Sequence, residues 1–252
     1  MNYYFLLLSI LFGYMVSWFV VLILKKRNDV ADFAWGLGFI LLSWSAFILS
    51  GFSFRALFVN ILITIWGARL ALHIYKRNSN KPEDFRYQQW RKEWKYFYIR
   101  SFFQIYLLQG LFLFLISTPV FAINASAFNG FKITDFVGLI VWLIGFYFEN
   151  VGDSQLKKFI SDPKNKGKIM DQGLWSYTRH PNYFGEVTQW WGIYIIALST
   201  PSGFYTIIGP LTITILILFV SGIPLLEKKY VGRPDYETYK KRTSVFFPLP
   251  PR

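Results

Sequence analysis

Seven apolar runs, each close to the length that crosses a bilayer, constrain the fold of this chain more than any other feature. They occupy residues 3–24, 30–49, 57–75, 102–122, 136–156, 183–198 and 204–223. A helix needs roughly 20 apolar residues to span the hydrocarbon core of a membrane. Only 16% of the residues are charged, whereas a soluble domain carries about a quarter. The sequence therefore predicts an all-α polytopic membrane protein with about seven transmembrane helices, forming one domain over residues 1–252.

The basic residues indicate how these helices are oriented. Of the 27 Lys and Arg residues, 24 lie in the loop after the first run, in segments 76–100 and 157–179, and in the tail from Lys228. The loops on the opposite side hold only Arg55 and Lys132. The positive-inside rule then predicts an outside N-terminus and a cytoplasmic tail. Because basic residues follow the first run rather than precede it, we predict a retained helix and not a secretory signal.

Composition argues against several classes of protein. The chain has no Cys and only two His residues, His73 and His180, so we expect no thiolate or histidine-rich metal site. The basic residues lie in short loops between apolar runs, so we expect no nucleic acid partner. No apolar run contains a Lys that could form a retinal Schiff base, which argues against a photoreceptor. The sequence has no internal repeat of the kind found in many transporters, which argues against that class. We expect membrane lipids around the chain, and no obligate protein partner is evident.

Polar residues inside the apolar runs gather towards the predicted cytoplasmic side. An ionisable side chain at membrane depth is costly unless it faces a partner or a water-filled cavity. Spacings of four residues place each of two pairs on one face of a helix. We therefore predict a cytoplasm-facing cavity; the alternative is that these groups pair with Arg69 or Lys157 and hold the helices together. The polar residues are Asp32, Arg69, His73, Glu149, Asn150, Asp153, Asn182, Glu186 and Gln189, and the two pairs are Glu149 with Asp153 and Asn182 with Glu186.

The segment GLWSYTRHPNYFGE, residues 173–186, leads directly into an apolar run. Pro181 fits the first turn of a helix, whose free N–H groups and dipole favour an anion. Arg179 supplies a planar fork that suits phosphate or carboxylate. These features predict an anionic cofactor at the cytoplasmic interface.

This segment resembles the C-terminal signature of the steroid 5-alpha-reductase-like membrane family. Its RHPNY core is also similar to one found in sterol reductases and isoprenylcysteine carboxyl methyltransferases. The chain most resembles the bacterial DUF1295 branch, with further similar stretches at 29–36, 66–70, 81–87, 222–227, 233–236 and 242–244. The resemblance implies a seven-helix protein of the bacterial inner membrane that holds NADPH in a cytoplasm-facing cavity, with the cofactor signature mainly in 145–252.

Matched by position, the resemblance implies a set of cofactor-binding residues. Asn182 and Glu186 match residues at the nicotinamide end, and Asp153 matches an acidic position near the cofactor. Glu149 stands where the steroid enzymes have Asn. The implied set is Glu149, Asp153, Lys157, Tyr177, Arg179, His180, Asn182, Tyr183, Glu186, Glu227, Tyr236 and Arg242.

The steroid enzymes also pair a Glu on the second span with a Tyr near the end of the third, which together hold the enone carbonyl. Here the second run offers Asp32, and the Tyr is Tyr75 or Tyr87, with His73 as a third possibility. The implied reaction is hydride transfer from NADPH to an activated C=C bond, with a nearby general acid.

The alternative is an S-adenosylmethionine-dependent methyltransferase of the isoprenylcysteine carboxyl type, which has the same RHP core. The longer match through Glu186, together with Asp153, favours the reductase.

Overall fold

The computed structural model describes residues 2–79 and 81–251, and the helices account for most of them. In that part of the chain, six helices are long and apolar enough to cross a membrane, and no β-strand occurs. The prediction of an all-α polytopic membrane protein is confirmed. In chain order the helices are α1 (Tyr3–Lys25), α2 (Val30–Ser50), α3 (Phe54–Asn78), α4 (Phe85–Glu93), α5 (Phe97–Ile116), α6 (Thr118–Asn124), α7 (Ile133–Ser161), α8 (Leu174–Tyr177), α9 (Pro181–Ala197), α10 (Gly203–Tyr230) and α11 (Pro234–Arg242). The spanning helices are α1, α2, α3, α5, α7 and α10.

Two of the seven predicted runs differ in the structure from simple spanning helices. The run at 183–198 becomes α9, which has 17 residues and is shorter than the roughly 20 that a span requires. The run at 102–122 is divided between α5 and α6, because Pro119 occupies the first turn of a new helix. Proline favours that position, since its missing N–H is not needed there. The orientation of the helices stays a prediction.

The Cα positions divide into two compact units, which are described separately. The first unit comprises the chain up to Phe131 together with Thr200–Ile208, and the second comprises Lys132–Ser199 and the chain from Gly209 onward. The prediction of a single domain over residues 1–252 stays a prediction.

In the first unit, α2 and α3 pack with their backbones in near contact. A Cβ atom added to Gly36 would lie 2.6 Å from the carbonyl oxygen of Gly67, so only glycine fits there without movement. Beside this contact, Phe39 and Trp66 are fully buried and meet edge to face at 5.2 Å. The close approach places the first turn of α2 next to the last turns of α3.

In the second unit, glycines spaced seven residues apart bring α7 and α9 together. Seven residues are close to two helical turns, so such glycines lie on one face of a helix. Gly138, Gly145 and Gly152 lie on α7, and Gly185 and Gly192 lie on α9. A Cβ on Gly145 would meet the carbonyl oxygen of Gly185 at 2.6 Å. Small residues of this kind allow membrane helices to approach backbone to backbone, and here they align the polar side chains of the two helices.

Candidate functional site

Asp32, in the first turn of α2, is the centre of a polar cluster in the first unit. Its Oδ1 accepts a hydrogen bond from the hydroxyl of Tyr87 at 2.6 Å. Its Oδ2 accepts one from Nη2 of Arg86 at 3.1 Å, and Nη2 of Arg77 lies 3.9 Å from the same oxygen. The Asp32 side chain is 16% exposed. The structure therefore holds a largely buried carboxylate between one phenol and two guanidinium groups.

Tyr87 reaches Asp32 from the short helix α4. Asp84 caps the N-terminus of that helix, and its side chain accepts a hydrogen bond from the backbone N–H of Arg86 at 3.0 Å. Aspartate is favoured at this capping position. Tyr87 is only 3% exposed. Burial and the Asp32 carboxylate raise the pKa of Tyr87 well above its ordinary value. The phenol therefore keeps its proton at neutral pH and acts as a hydrogen-bond donor.

Arg86 bridges two carboxylates of this cluster. Besides Asp32, its Nε donates to Oδ1 of Asp84 at 3.0 Å. Burial acts to raise the pKa of Asp84, but the hydrogen bonds and charge of Arg86 outweigh it and lower that pKa. Asp84 is therefore charged near neutral pH, so Arg86 has a fixed anion on either side.

A second set of polar contacts fastens the segment before α4 to the turn between α1 and α2. Oε1 of Glu83 accepts from the backbone N–H of Asn28 at 2.5 Å and from Arg91 at 3.0 Å. Oδ2 of Asp29 accepts from Arg27 at 2.7 Å and from the backbone N–H of Asp84 at 3.4 Å. Stretches 29–36 and 81–87, which each resembled the family separately, thus belong to one cluster.

The other two candidates for the acid lie elsewhere on α3. Tyr75 is 61% exposed, and its ring packs against Phe33 with centroids 6.0 Å apart. His73 is half-buried on the same helix. Of the three groups proposed from sequence to accompany Asp32, the structure brings Tyr87 to it.

In the second unit, the close approach of α7 and α9 joins two pairs of polar side chains. Nε2 of Gln189 donates to Oε2 of Glu149 at 2.5 Å, and both residues are buried. One turn further along α7, Oδ1 of Asp153 accepts from Nδ2 of Asn182 at 3.1 Å. Glu186 lies one turn after Asn182 on α9 and is half-buried. Of the two predicted pairs, Glu149, Asp153 and Asn182 therefore make contacts across the helix pair.

Arg179, the predicted anion-binding fork, is turned inward. Its Nε donates to Oε1 of Glu227 at 2.8 Å, and its Nη1 donates to the carbonyl of Thr243 at 2.9 Å. The backbone N–H of Arg179 also donates to the carbonyl of Ser244 at 2.8 Å. Arg179 is 9% exposed. Its contacts tie the C-terminal tail to the start of α9.

His180 shares the carboxylate of Glu227. Its Nε2 lies 3.1 Å from Oε1 of Glu227, and its ring stacks on Tyr183 at 5.7 Å. Burial lowers the pKa of His180, although the neighbouring Glu227 acts in the opposite direction. The imidazole is therefore neutral near pH 7 and lies between Glu227 and Tyr183.

The tail supplies two further predicted residues. Burial and the Glu227 carboxylate raise the pKa of Tyr236, so this phenol stays protonated. Arg242 forms an ion pair with Asp171. The remaining predicted residues, Lys157 and Tyr177, are exposed. The structure thus groups Arg179, His180, Glu227 and Tyr236, whereas Lys157, Tyr177 and Arg242 lie at the surface of the unit.

The second unit carries groups that fit a polar, anionic cofactor. Nδ1 of His180 and Oε1 of Gln189 are buried and have no hydrogen-bond partner among the residues that the structure describes. Buried polar atoms normally have such a partner, so both fit a ligand that offers amide or hydroxyl groups. Lys157 presents an exposed cation suited to a phosphate. Arg179 is occupied by Glu227 and the tail.

Three important residues were not in the set implied by the sequence. Arg86 and Glu83 lie in segment 76–100, whose basic residues served only to predict the orientation of the helices. Gln189 was noted as a polar residue in a span but received no role. The glycines spaced seven residues apart could have identified Gln189 from the sequence, because they indicate which face of α9 contacts α7.

Comparison with known proteins identifies a family over most of the chain. Residues 18–243 match the model of a family described as "Protein of unknown function (DUF1295)". The uncharacterized protein C594.04c of Schizosaccharomyces pombe is 25% identical over 221 residues, which cover 77% of this chain and 63% of that protein. The chain thus spans less than two thirds of this relative. No solved structure matches the chain.

Proposed function

This chain belongs to the DUF1295 family, the steroid 5-alpha-reductase-like group of membrane proteins, and we propose that it is a membrane-embedded, NADPH-dependent reductase. The proposed substrate is a lipophilic, steroid- or isoprenoid-like molecule with a C=C bond activated by a carbonyl group. The observation that carries the proposal is the buried Tyr87 phenol, which donates to Asp32 at 2.6 Å. We further propose that the cofactor site faces the cytoplasm from a bacterial inner membrane.

The Tyr87 cluster suits the stabilisation of an enolate. When hydride adds to the carbon remote from the carbonyl, negative charge develops on the carbonyl oxygen. A preorganised donor in a site of low dielectric stabilises such charge strongly. The Tyr87 hydroxyl can turn from Asp32 to this oxygen, while Arg86 continues to hold the Asp32 carboxylate. The raised pKa of Tyr87 favours a role as hydrogen-bond donor over full release of its proton.

The reaction adds one hydride and one proton across the C=C bond. Bound NADPH would supply the hydride to the electron-poor carbon. The adjacent carbon would take a proton from water as the enolate collapses, and the cluster around Asp32 would hold the oxygen until then. Arg86 and Arg77 keep positive charge beside Asp32 throughout.

The second unit supplies the proposed cofactor residues. Asn182 and Asp153 already share a hydrogen bond, and with Glu186 they offer the donors and acceptors that a nicotinamide amide requires. Lys157 would contact phosphate. Arg179 and Glu227 would act indirectly, because Glu227 contacts Arg179, His180 and Tyr236 and so holds these side chains together.

Turnover of enone lipids by the detergent-purified protein tests the proposal. A panel should include a steroid enone and α,β-unsaturated isoprenoid aldehydes and ketones, with loss of NADPH absorbance and saturated product as paired readouts. The Tyr87→Phe variant should lower kcat about 100-fold or more, the usual effect of removing one hydrogen-bond donor to a developing oxyanion. Tyr75→Phe is the matched control and should retain turnover. Full turnover by Tyr87→Phe would contradict the mechanism, and methyl transfer from S-adenosylmethionine would contradict the reaction class.

A further inference from the structure

An apolar groove lies between α1 and α5 in the first unit, away from the residues of the proposed site. Its volume is about 450 Å³, and only apolar atoms line it. The lining residues are Phe19, Ile23, Tyr98, Ile99, Phe102 and Phe103. The rings of Phe19 and Phe102 meet edge to face at 5.0 Å. Because both walls are membrane-spanning helices, the surrounding solvent is lipid.

Two exposed cationic residues lie close in the chain to residues that line the groove. Arg100 follows the lining residue Ile99 directly, is exposed, and places its guanidinium 4.5 Å from the ring centre of Trp94. Lys26 follows Ile23 by three residues and is also exposed. Neither side chain forms an ion pair with a carboxylate in the described part of the chain. The groove therefore combines an apolar channel with uncompensated positive charge.

The start of α5 adds to this positive character. The helix begins at Phe97, and no side chain caps its first turn. Free N–H groups and the helix dipole make a helix N-terminus favourable for an anion. Arg100 belongs to this first turn, so its side chain and the free backbone N–H groups lie close together in the chain.

We propose that this groove binds one anionic phospholipid of the bilayer, with an acyl chain along α1 and α5 and its phosphate at Arg100 and Lys26. The volume lies within the range of ordinary ligand sites, roughly 300–1,000 Å³. An aromatic-backed guanidinium suits phosphate recognition, and basic pockets between membrane helices bind anionic headgroups. A zwitterionic lipid would fill the groove but would gain less from the cations. The positive charges of Arg100 and Lys26 therefore favour an anionic phospholipid over a zwitterionic one.

Native mass spectrometry of the intact detergent-purified chain tests this site. Phosphatidylglycerol and phosphatidylcholine with identical acyl chains are the probes, and glycerol phosphate is the probe without a tail. We expect one phosphatidylglycerol to bind per chain in preference to phosphatidylcholine, and no binding of glycerol phosphate. Equal binding of both phospholipids, or binding without saturation at one per chain, would overturn the proposal.

Two variants separate the charge from the groove. Arg100→Gln should weaken phosphatidylglycerol binding about fivefold, given the typical contribution of one basic residue at a membrane surface, and should leave phosphatidylcholine binding unchanged. Ile23→Trp fills the groove and should weaken binding of both lipids. Lys158→Gln removes an exposed cation at the end of α7 and is the matched control. Unchanged phosphatidylglycerol binding by both Arg100→Gln and Ile23→Trp would contradict the site.

The proposal stands independently of the reductase. None of the lining residues belongs to the Asp32 cluster, so Arg100→Gln should retain the melting temperature of the lipid-free protein and its response to NADPH. A normal NADPH response without lipid selectivity would contradict the lipid site alone.

Discussion

The hydroxyl of Tyr87 donates a 2.6 Å hydrogen bond to Oδ1 of Asp32, which lies 55 residues earlier in the chain. This bond joins the first turn of α2 to the short helix α4. Two guanidinium groups on the other carboxylate oxygen fix its direction. The position of α4 therefore determines whether the phenol and the carboxylate meet.

Glu83→Gln should loosen α4 and with it the Tyr87 contact. Glu83 accepts from the backbone N–H of Asn28 and from Arg91, and a charged acceptor makes the stronger hydrogen bonds. We expect amide hydrogen exchange in residues 85–93 to become several-fold faster, since local opening follows the loss of such contacts. Glu93→Gln is the matched control, because Glu93 is exposed and accepts a hydrogen bond from Gln89 of the same helix. Equal protection of α4 in Glu83→Gln and the wild type would refute this role.

His180 should make stability fall in mild acid. Its pKa in the folded state is below the ordinary 6.5, mainly because of burial. As the pH falls, the unfolded chain therefore binds the proton before the folded chain does. The stability that neutral His180 contributes is thus fully present above about pH 6.5 and is lost progressively below it. We expect the melting temperature to decline between about pH 7 and about pH 5.5 in the wild type.

The chain offers a matched control, since His73 is the other histidine. His180→Gln should flatten the decline in melting temperature, whereas His73→Gln should leave it in place. The same decline in His180→Gln as in the wild type would show that other groups cause it.

Arg179→Ala should release the tail. It leaves Glu227 without its guanidinium partner and removes donors to the carbonyls of Thr243 and Lys240. Breaking a buried ion pair costs about 3 kcal/mol or more, so the melting temperature should fall by several degrees. Limited proteolysis should cut within residues 243–251 sooner. Lys240→Ala, which removes an exposed ion pair with Glu237 within α11, should change neither readout; equal effects of the two variants would contradict the anchoring role.

The glycine contact between α7 and α9 should be intolerant of a single methyl group. A Cβ at position 145 would lie 2.6 Å from the carbonyl oxygen of Gly185 and 2.7 Å from the backbone nitrogen of Gln189. Overpacking of this kind costs about 1–3 kcal/mol, so Gly145→Ala should lower the melting temperature. In Gly13→Ala the new Cβ meets nothing within 4 Å, and stability should not fall. A stable Gly145→Ala protein would mean that the helices are further apart than described.

The spanning helices were predictable because a continuous apolar run in a membrane has few conformations available other than the α-helix. The boundaries at 30–49 and 136–156 are within a few residues of α2 and α7. The break between α5 and α6 was missed, since Pro119 lies inside a run that is apolar on both sides. A hydropathy pattern identifies the length of an apolar run, but it does not show where a proline ends one helix and begins the next.

The site was harder to predict than the helices. Spacing alone placed Glu149 with Asp153 and Asn182 with Glu186 on shared faces, and the structure shows that these faces meet. Spacing could not choose between Tyr75 and Tyr87, because the choice depends on how the chain returns after α3. Arg179 shows what residue type alone cannot predict. A guanidinium suits an anion, yet the Nε and Nη1 donors of Arg179 are taken by Glu227 and by the carbonyl of Thr243.

The most direct test of the proposed reductase is the melting temperature of the detergent-purified protein with NADPH, NADH and S-adenosylmethionine, each in a separate sample. A ligand that binds only the folded state raises this temperature, by about 2.7 kcal/mol of stability at 100 times its Kd. We predict a rise of several degrees with NADPH and none with S-adenosylmethionine. A rise with S-adenosylmethionine and none with NADPH would contradict the reductase and identify a methyltransferase.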